Sequence, residues 1–226
     1  MRSPAPAAAE EAGRGPESSL AGRAYRRIKE KILLGEIPPL GTVDDRALMA
    51  ELGTGRTPIR EALQRLAFEG LVVVLPYRGT MASGIDMSEL DQIMEVRIPL
   101  EILAARAAAQ RATAPEIAAL EALVGGYDIE RLCAERRFVE LLRLDQEFHH
   151  AVAAISRNRF MVRTLENLRD LTWRFYILFY RRHPPTPRDS FNNYREVIAA
   201  LARHDPDLVE KRLAAHFRDT RRLFPA

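Results

Sequence analysis

The stretch Gly53-Thr-Gly-Arg-Thr-Pro-Ile-Arg-Glu-Ala-Leu-Gln-Arg-Leu66 constrains the fold more than any other part of the chain. Ile59, Ala62, Leu63 and Leu66 fall at i, i+3, i+4 and i+7, the apolar stripe of a short helix. Arg56, Arg60 and Gln64 fall at i, i+4 and i+8, on a different face. Pro58 sits in the first turn, where its missing N–H is harmless, and Thr54 or Thr57 can supply the cap. Arginine forks onto the acceptor edge of guanine or onto a phosphate, and glutamine pairs with adenine, so this polar stripe suits DNA. Taken alone, an Arg-x3-Arg pair is more often a solvated helix face. The flanking segments decide between the two readings.

Upstream, Ala21 to Leu34 reads as a helix with Tyr25, Ile28, Ile32 and Leu33 inward and a basic outer face of Arg23, Arg26, Arg27, Lys29 and Lys31. Gly35 closes it, and Ile37-Pro-Pro-Leu-Gly41 is a turn that cannot continue it. Asp44 or Asp45 can cap a second short helix ending near Leu52, with Leu48, Met49 and Leu52 inward and Arg46 outward. Gly53-Thr-Gly55 then forms the tight turn of a helix-turn-helix, whose second helix enters the major groove. Leu71 to Leu75 reads as a strand, Pro76-Tyr-Arg-Gly79 as a turn and Thr80 to Ala82 as the returning strand. That hairpin is a wing, and Arg78 at its tip is placed to reach a phosphate or the minor groove.

These residues resemble the GntR family of bacterial transcription regulators. The match runs through Leu34-Gly-Glu-Ile-Pro-Pro-Leu-Gly41, Arg46-Ala-Leu48, Arg56-Thr-Pro-Ile-Arg-Glu-Ala-Leu63, Gln64-Arg-Leu-Ala-Phe-Glu-Gly-Leu71 and the Arg78-Gly79 wing tip. The resemblance implies that Arg46, Arg56, Thr57, Arg60, Gln64, Arg78 and Gly79 contact DNA. Two departures stand out: an extra Leu40 interrupts the usual Pro-Gly pair, and Gly55 replaces a serine that commonly precedes the first helix arginine.

At 226 residues the chain accommodates a winged helix over 20–83 and a second domain over 86–226, after a disordered tail over 1–19 rich in Ala, Pro, Glu, Gly and Ser. A composition of 47% hydrophobic and 29% charged residues describes a soluble globular protein. No signal-peptide core and no long uncharged apolar run is present, and one cysteine, Cys133, rules out an intramolecular disulfide, which fits a reducing cytoplasm. Net charge is only +3, so DNA binding rests on where the arginines sit and not on bulk charge.

From Asp86 onward only helical periods appear, so the fold class is mainly α: a winged helix-turn-helix with a small hairpin wing, then an all-α bundle of about six helices. The spans are Asp86 to Ala112 (through Ile93, Val96, Leu100, Leu103 and Ala107, with a kink at Pro99), Ala114 to Glu135 with Gly125-Gly126 able to split it, and Phe138 to Ile155. Phe160 to Tyr180, Asp189 to Ala202 and Pro206 to Phe224 follow, with a break at Arg182-His-Pro-Pro-Thr-Pro187. The aromatic-rich Phe160–Tyr180 helix shows two apolar faces, one for the core and one for a partner domain. Asp145 and His149 share a face beside the apolar arc of Leu141, Leu144, Phe148, Val152 and Ile155, and His216 lies within the arc of Val209, Leu213, Thr220 and Leu223. Inward carboxylate and imidazole groups need partners, which either core hydrogen bonds or a divalent metal supplies.

The segment Phe138 to Phe217 resembles the helical ligand-binding domain of the FadR-type GntR subfamily, called FCD. Asp145-Gln-Glu-Phe-His149 matches its Asp-x-x-Phe-His signature, Asn158 the asparagine at the next turn, and Arg97-Ile-Pro-Leu-Glu101 its Arg-x-x-x-Glu segment. Many such domains hold a metal with one aspartate and three histidines, beside an effector carboxylate. The resemblance therefore implies Asp145, His149 and His216 as ligands to a divalent, zinc-like metal, with Arg97 and Tyr194 facing an effector. Tyr194 stands where the third histidine is usual. The function implied is a cytoplasmic, homodimeric, sequence-specific regulator, expected to be a repressor, that binds a palindromic operator and responds to an organic acid or similar metabolite, with no membrane partner. The competing class is a helical metalloenzyme built on Asp145, His149 and His216. It leaves the winged helix unexplained.

Overall fold

Caps and glycines set the element boundaries of the N-terminal part. In the computed structural model, residues 19–185 and 193–222 are described. The tail expected over 1–19 lies outside them except for Ser19, as do the start of the penultimate helix and the end of the last. Ser19 belongs to the first helix, α1 (Leu20–Leu33), as its cap: its Oγ accepts from the Gly22 N–H at 3.0 Å. Ala24, Tyr25, Ile28 and Ile32 of α1 are buried. After the turn comes a strand too short to show any alternation in sequence, β1 (Thr42–Val43). Of the two candidate caps for the second helix, α2 (Asp45–Leu52), Asp44 does the work, its Oδ1 accepting from Arg46 N at 2.9 Å and Ala47 N at 3.0 Å. Gly53 ends α2 in the left-handed region at φ 59°, where a side chain would be strained.

The third helix, α3 (Arg56–Phe68), buries Ile59, Ala62, Leu63 and Leu66, the stripe read from sequence, and packs on α1. The expected threonine cap is not there. Its N-cap is Gly55, with no side-chain cap, because Thr54 lies one residue too early, with its N–H bonded to Met49 O, and Thr57 already lies inside the helix. The wing strands, β2 (Val72–Leu75) and β3 (Gly79–Ala82), pair antiparallel, and β3 also pairs with β1, giving a three-stranded sheet in the order β1-β3-β2. Leu40 takes a left-handed φ of 61° and stays exposed, while its N–H bonds Ala82 O. The loop absorbs the extra residue.

The chain divides into two units, Met1–Ile85 and Asp86–Ala226. The second is all helix: α4 (Met87–Arg111), α5 (Ala114–Gly125), α6 (Ile129–Ala134), α7 (Phe138–Ile155), α8 (Arg159–Arg182), α9 (Asn193–Ala202) and α10 (Pro206–Arg222). Gly125-Gly126 does split the second span, so the bundle has seven helices among the described residues and not six. Asp86 caps α4 through Ser88 N, and the helix runs on through an exposed Pro99.

α4 is the central rod, packing against α7, α8, α9 and α10. Ala104, Ala105, Ala108 and Ala109 are fully buried along it, and residues this small let neighbouring helices approach closely. Val96 and Leu103 point outward, 56% and 55% exposed, while the inward stripe carries Arg97 and Glu101, each 1% exposed. Apolar residues lie on both sides of α4, so periodicity alone could not choose the buried one. On α8 the face expected to meet a partner domain is largely covered within the same chain: Trp173 and Tyr180 are buried, as are all residues from Thr172 through Ile177. No helix among the described residues is long and apolar enough to cross a membrane.

Candidate functional site

On the winged helix, geometry separates free arginines from committed ones. Arg56, Thr57, Arg60 and Gln64 are exposed on α3, opposite its buried stripe, and Arg46, Arg78 and Gly79 are exposed beside it in sequence. None of Arg46, Arg56, Arg60 and Arg78 has an ion-pair partner among the described residues. The basic face of α1 behaves differently. Arg27 bonds Glu51 at 2.7 Å, Lys31 meets the same carboxylate at 3.0 Å, and Arg65 of α3 bonds Glu69 at 3.1 Å while its guanidinium lies 3.6 Å above the Tyr25 ring. Hydrogen bonds from Arg27 and Lys31 hold the Glu51 carboxyl below its ordinary range.

The second site is a polar cluster inside the helical unit. α7 places Asp145 and His149 one turn apart, α10 supplies His216, and α9 supplies Tyr194. Candidate donor atoms of Asp145, His149 and His216 all lie within 4.8 Å of one another. His149 Nε2 is 3.2 Å from His216 Nε2 and 3.6 Å from Asp145 Oδ1. The Tyr194 hydroxyl donates to Asp145 Oδ1 at 2.7 Å, and its ring stacks on Phe148 at 4.2 Å. Burial, then the adjacent Asp145 charge, pushes the Tyr194 phenol well above its ordinary value, so it stays neutral. Burial pushes the Asp145 carboxyl up, but His149, Arg97 and His216 outweigh it and hold it low. His150, the residue after His149, lies outside the cluster and faces Glu166 at 3.1 Å.

Glu101 anchors the cluster. Its Oε2 meets His149 Nδ1 at 3.2 Å, and its Oε1 accepts from Arg97 Nε at 3.4 Å and Arg169 Nη1 at 3.2 Å. Burial works against its charge, yet His149, Arg97 and Arg169 bring its carboxyl down to about 2. Arg97 Nη1 donates to Thr172 Oγ1 at 2.8 Å, and its Nη2 lies 3.9 Å from Asp145 Oδ2.

Two imidazoles and one carboxylate form a donor set that suits a zinc-like ion. Glu101 on Nδ1 of His149 is the outer partner that orients a ligating imidazole and leaves Nε2 free to bind. The residues therefore fit a three-ligand metal site, with the neutral Tyr194 phenol a poor fourth ligand. Sequence reading placed Asp145, His149, His216, Tyr194 and Arg97 together, and they are together. The core hydrogen bonds that could stand in for a metal are those of His149 with Glu101 and His216 and of Tyr194 with Asp145. Arg169 and Thr172 went unnoticed, although Leu165, Arg169, Thr172 and Tyr176 follow one apolar helical period and put an arginine where a core residue belongs.

Comparison with known proteins gives two family matches: the FCD domain over residues 92–219 and the bacterial regulatory proteins of the gntR family over residues 20–81. Among curated relatives, the chain is 25% identical over 205 residues to the HTH-type transcriptional repressor RspR of Escherichia coli K12, covering 90% of this chain and 88% of the relative. It is 26% identical over 193 residues to the HTH-type transcriptional regulator YdhC of Bacillus subtilis, covering 85% of each. The solved structure of Escherichia coli McbR/YncC superposes with a TM-score of 0.81 at 22% identity, covering 91% of this chain and 96% of that one, a likeness of fold.

The depressed Glu101 carboxyl makes stability depend on acidity. Its folded value lies below its ordinary 4.5, so the stabilisation by the ionised form is present in full above that value. It is lost as pH falls toward 2. Urea denaturation of wild type and Glu101→Gln should show the wild type ahead by on the order of 3 kcal/mol at neutral pH. That gap should narrow on acidification below about 4.5. A gap independent of pH would remove the ionised carboxylate as its source.

Proposed function

This chain belongs to the gntR family of bacterial regulatory proteins, with an FCD domain, and from that premise we propose that it is a sequence-specific DNA-binding transcription regulator, a repressor, whose helical domain binds a small organic acid. The observation that carries this reading is the allocation of charge on the winged helix. Arg56 and Arg60 on the recognition helix and Arg46 and Arg78 beside it in sequence stay exposed, without an ion pair among the described residues, while Arg27, Lys31 and Arg65 are neutralised by neighbouring carboxylates. Arg60 and Gln64 would read base edges, Arg56, Thr57 and Arg46 would hold phosphates, and Arg78 with Gly79 would enter the minor groove beside the wing. Curated relatives carry the names of regulators and a repressor, which weighs against the metalloenzyme reading. The setting is the cytoplasm, with the chromosome.

One recognition helix reads few base pairs, so a palindromic operator and a homodimer go together. The outward stripe of Val96, Leu100, Leu103 and Ala107 on α4 is uncharged and falls at i, i+4, i+7 and i+11, which suits a second copy of the same helix. The effector would sit at the cluster of Asp145, His149, His216, Tyr194 and Arg97, with a weakly held divalent ion adding positive charge for its anionic group. Binding there would shift the population between DNA-competent and DNA-incompetent arrangements of the dimer.

Four outcomes are expected. Against an operator selected from a random DNA library, Arg60→Ala should lose ~1–3 kcal/mol of affinity and relax preference at one position. Arg46→Ala should weaken all sequences alike and flatten the salt dependence; normal binding by both variants would refute the docking orientation. Leu103→Glu should sediment as a monomer at concentrations where wild type is dimeric, and an unchanged dimer would move the interface off α4. For the metal, Tyr194→His should tighten zinc binding tenfold or more in a chelator competition, since an imidazole supplies the missing donor. Tight stoichiometric zinc in the parent, unimproved by the histidine, would defeat the three-ligand site.

A further inference from the structure

We infer that Arg169, and not Arg97, is the residue that grips a carboxylate in the helical domain. The inference rests on the effector-binding reading above and adds the contact that the reading lacks. Arg97 has its donors in use. Nε goes to Glu101, Nη1 to Thr172, Nη2 faces Asp145, and the Tyr176 hydroxyl is a further hydrogen-bond partner. Arg169 does not. Its side chain is 3% exposed, its Nη1 donates to Glu101 Oε1, and its Nη2 is buried with no hydrogen-bond partner among the described residues. A buried charged donor left without an acceptor is costly, and folded proteins keep such groups chiefly where a ligand completes them.

Glu101 does not supply that acceptor, because Arg169 reaches it through Nη1 alone. One of its oxygens already takes both Arg97 and Arg169, and the other is bonded to His149. Thr172 does not either: its hydroxyl accepts from Arg97 and donates to the backbone carbonyl of Arg169. No acceptor for that nitrogen lies among the described residues, and a guanidinium N–H calls for an oxygen acceptor. Local charge limits what it is. Two guanidiniums face two carboxylates, Glu101 and Asp145. A single added negative charge is tolerated there, whereas a phosphate dianion would be repelled by both carboxylates. A monocarboxylate group fits best. Arg97 then acts as a positioning residue that holds Glu101 and Asp145 in place, and Arg169 with its idle nitrogen takes the ligand oxygen.

The test uses the full chain with acetate and inorganic phosphate as probes, read by thermal shift and calorimetry, on wild type, Arg169→Lys, Arg169→Gln and Arg97→Lys. Lysine and glutamine each keep one donor for Glu101 but remove the second arm of the fork, so either variant suffices if the other fails to fold. Acetate should stabilise wild type at tens of millimolar, phosphate should not, and both Arg169 variants should weaken acetate at least tenfold. Arg97→Lys should cost less. An acetate response that survives the Arg169 substitutions, a larger loss at Arg97, a preference for phosphate, or no acetate response in wild type would each overturn the inference. Operator binding by wild type is measured alongside. A chain that takes acetate through Arg169 but selects no operator would refute the regulator reading alone, and a chain that selects its operator while acetate ignores Arg169 would refute this inference alone.

Discussion

A single ionised carboxylate organises the interior of the helical unit. Glu101 sits on the central helix and bonds a histidine from α7 and an arginine from α8 as well as its own neighbour Arg97. Through His149 it reaches His216 on α10, and through Arg97 it reaches Asp145 and Thr172. Three of the five helices that build the site thus meet in one acceptor group, α10 joins through His149, and α9 joins through the bond from Tyr194 to Asp145. Burying a charge is affordable only when its partners are fixed, so the cluster demands that α4, α7 and α8 pack in one register. The fully buried alanines at 104, 105, 108 and 109 make that close approach possible.

The winged helix solves a different electrostatic problem with similar means. The whole chain carries a net charge of only +3, so it has no general affinity for polyanions to rely on. Several of its acidic residues pair with basic residues of the same unit. Glu51 and Glu36 gather around Arg27 and Lys31, and Glu69 takes Arg65 and the Tyr25 hydroxyl. Arg46, Arg56, Arg60 and Arg78, on and beside the third helix, have no ion pair among the described residues. Specific reading then depends on few contacts, each with a high share of the discrimination.

The fold was legible where local chemistry and periodicity agree. The α3 stripe, the Asp44 cap, the Gly53 stop and the Gly125-Gly126 break all follow from residue types whose backbone preferences leave little choice. β1 was not legible, because two residues carry no alternation and their pairing to β3 is a tertiary fact. The inward face of α4 was not legible for a different reason: it has apolar residues on both sides, and burial there follows Arg97 and Glu101, the residues a hydrophobic criterion rejects first. The site shows the same split. Asp145, His149, His216 and Tyr194 could be brought together from helical spacing and family resemblance, whereas Arg169 owes its place to a partner 68 positions earlier.

Insertions and deletions would meet very different fates along this chain. The turn at Pro38-Pro-Leu-Gly41 already holds an extra residue, parked in solvent with a left-handed backbone and no side chain disturbed. On α4 the buried Arg97 is flanked in sequence by the outward Val96, and one added or lost residue turns everything beyond it by about 100°. Such a change would bring the apolar outer stripe inward and drive a charged pair into solvent, with no loop inside the helix to take up the slip. Length in this chain is free to vary in its turns and is fixed along its central helix.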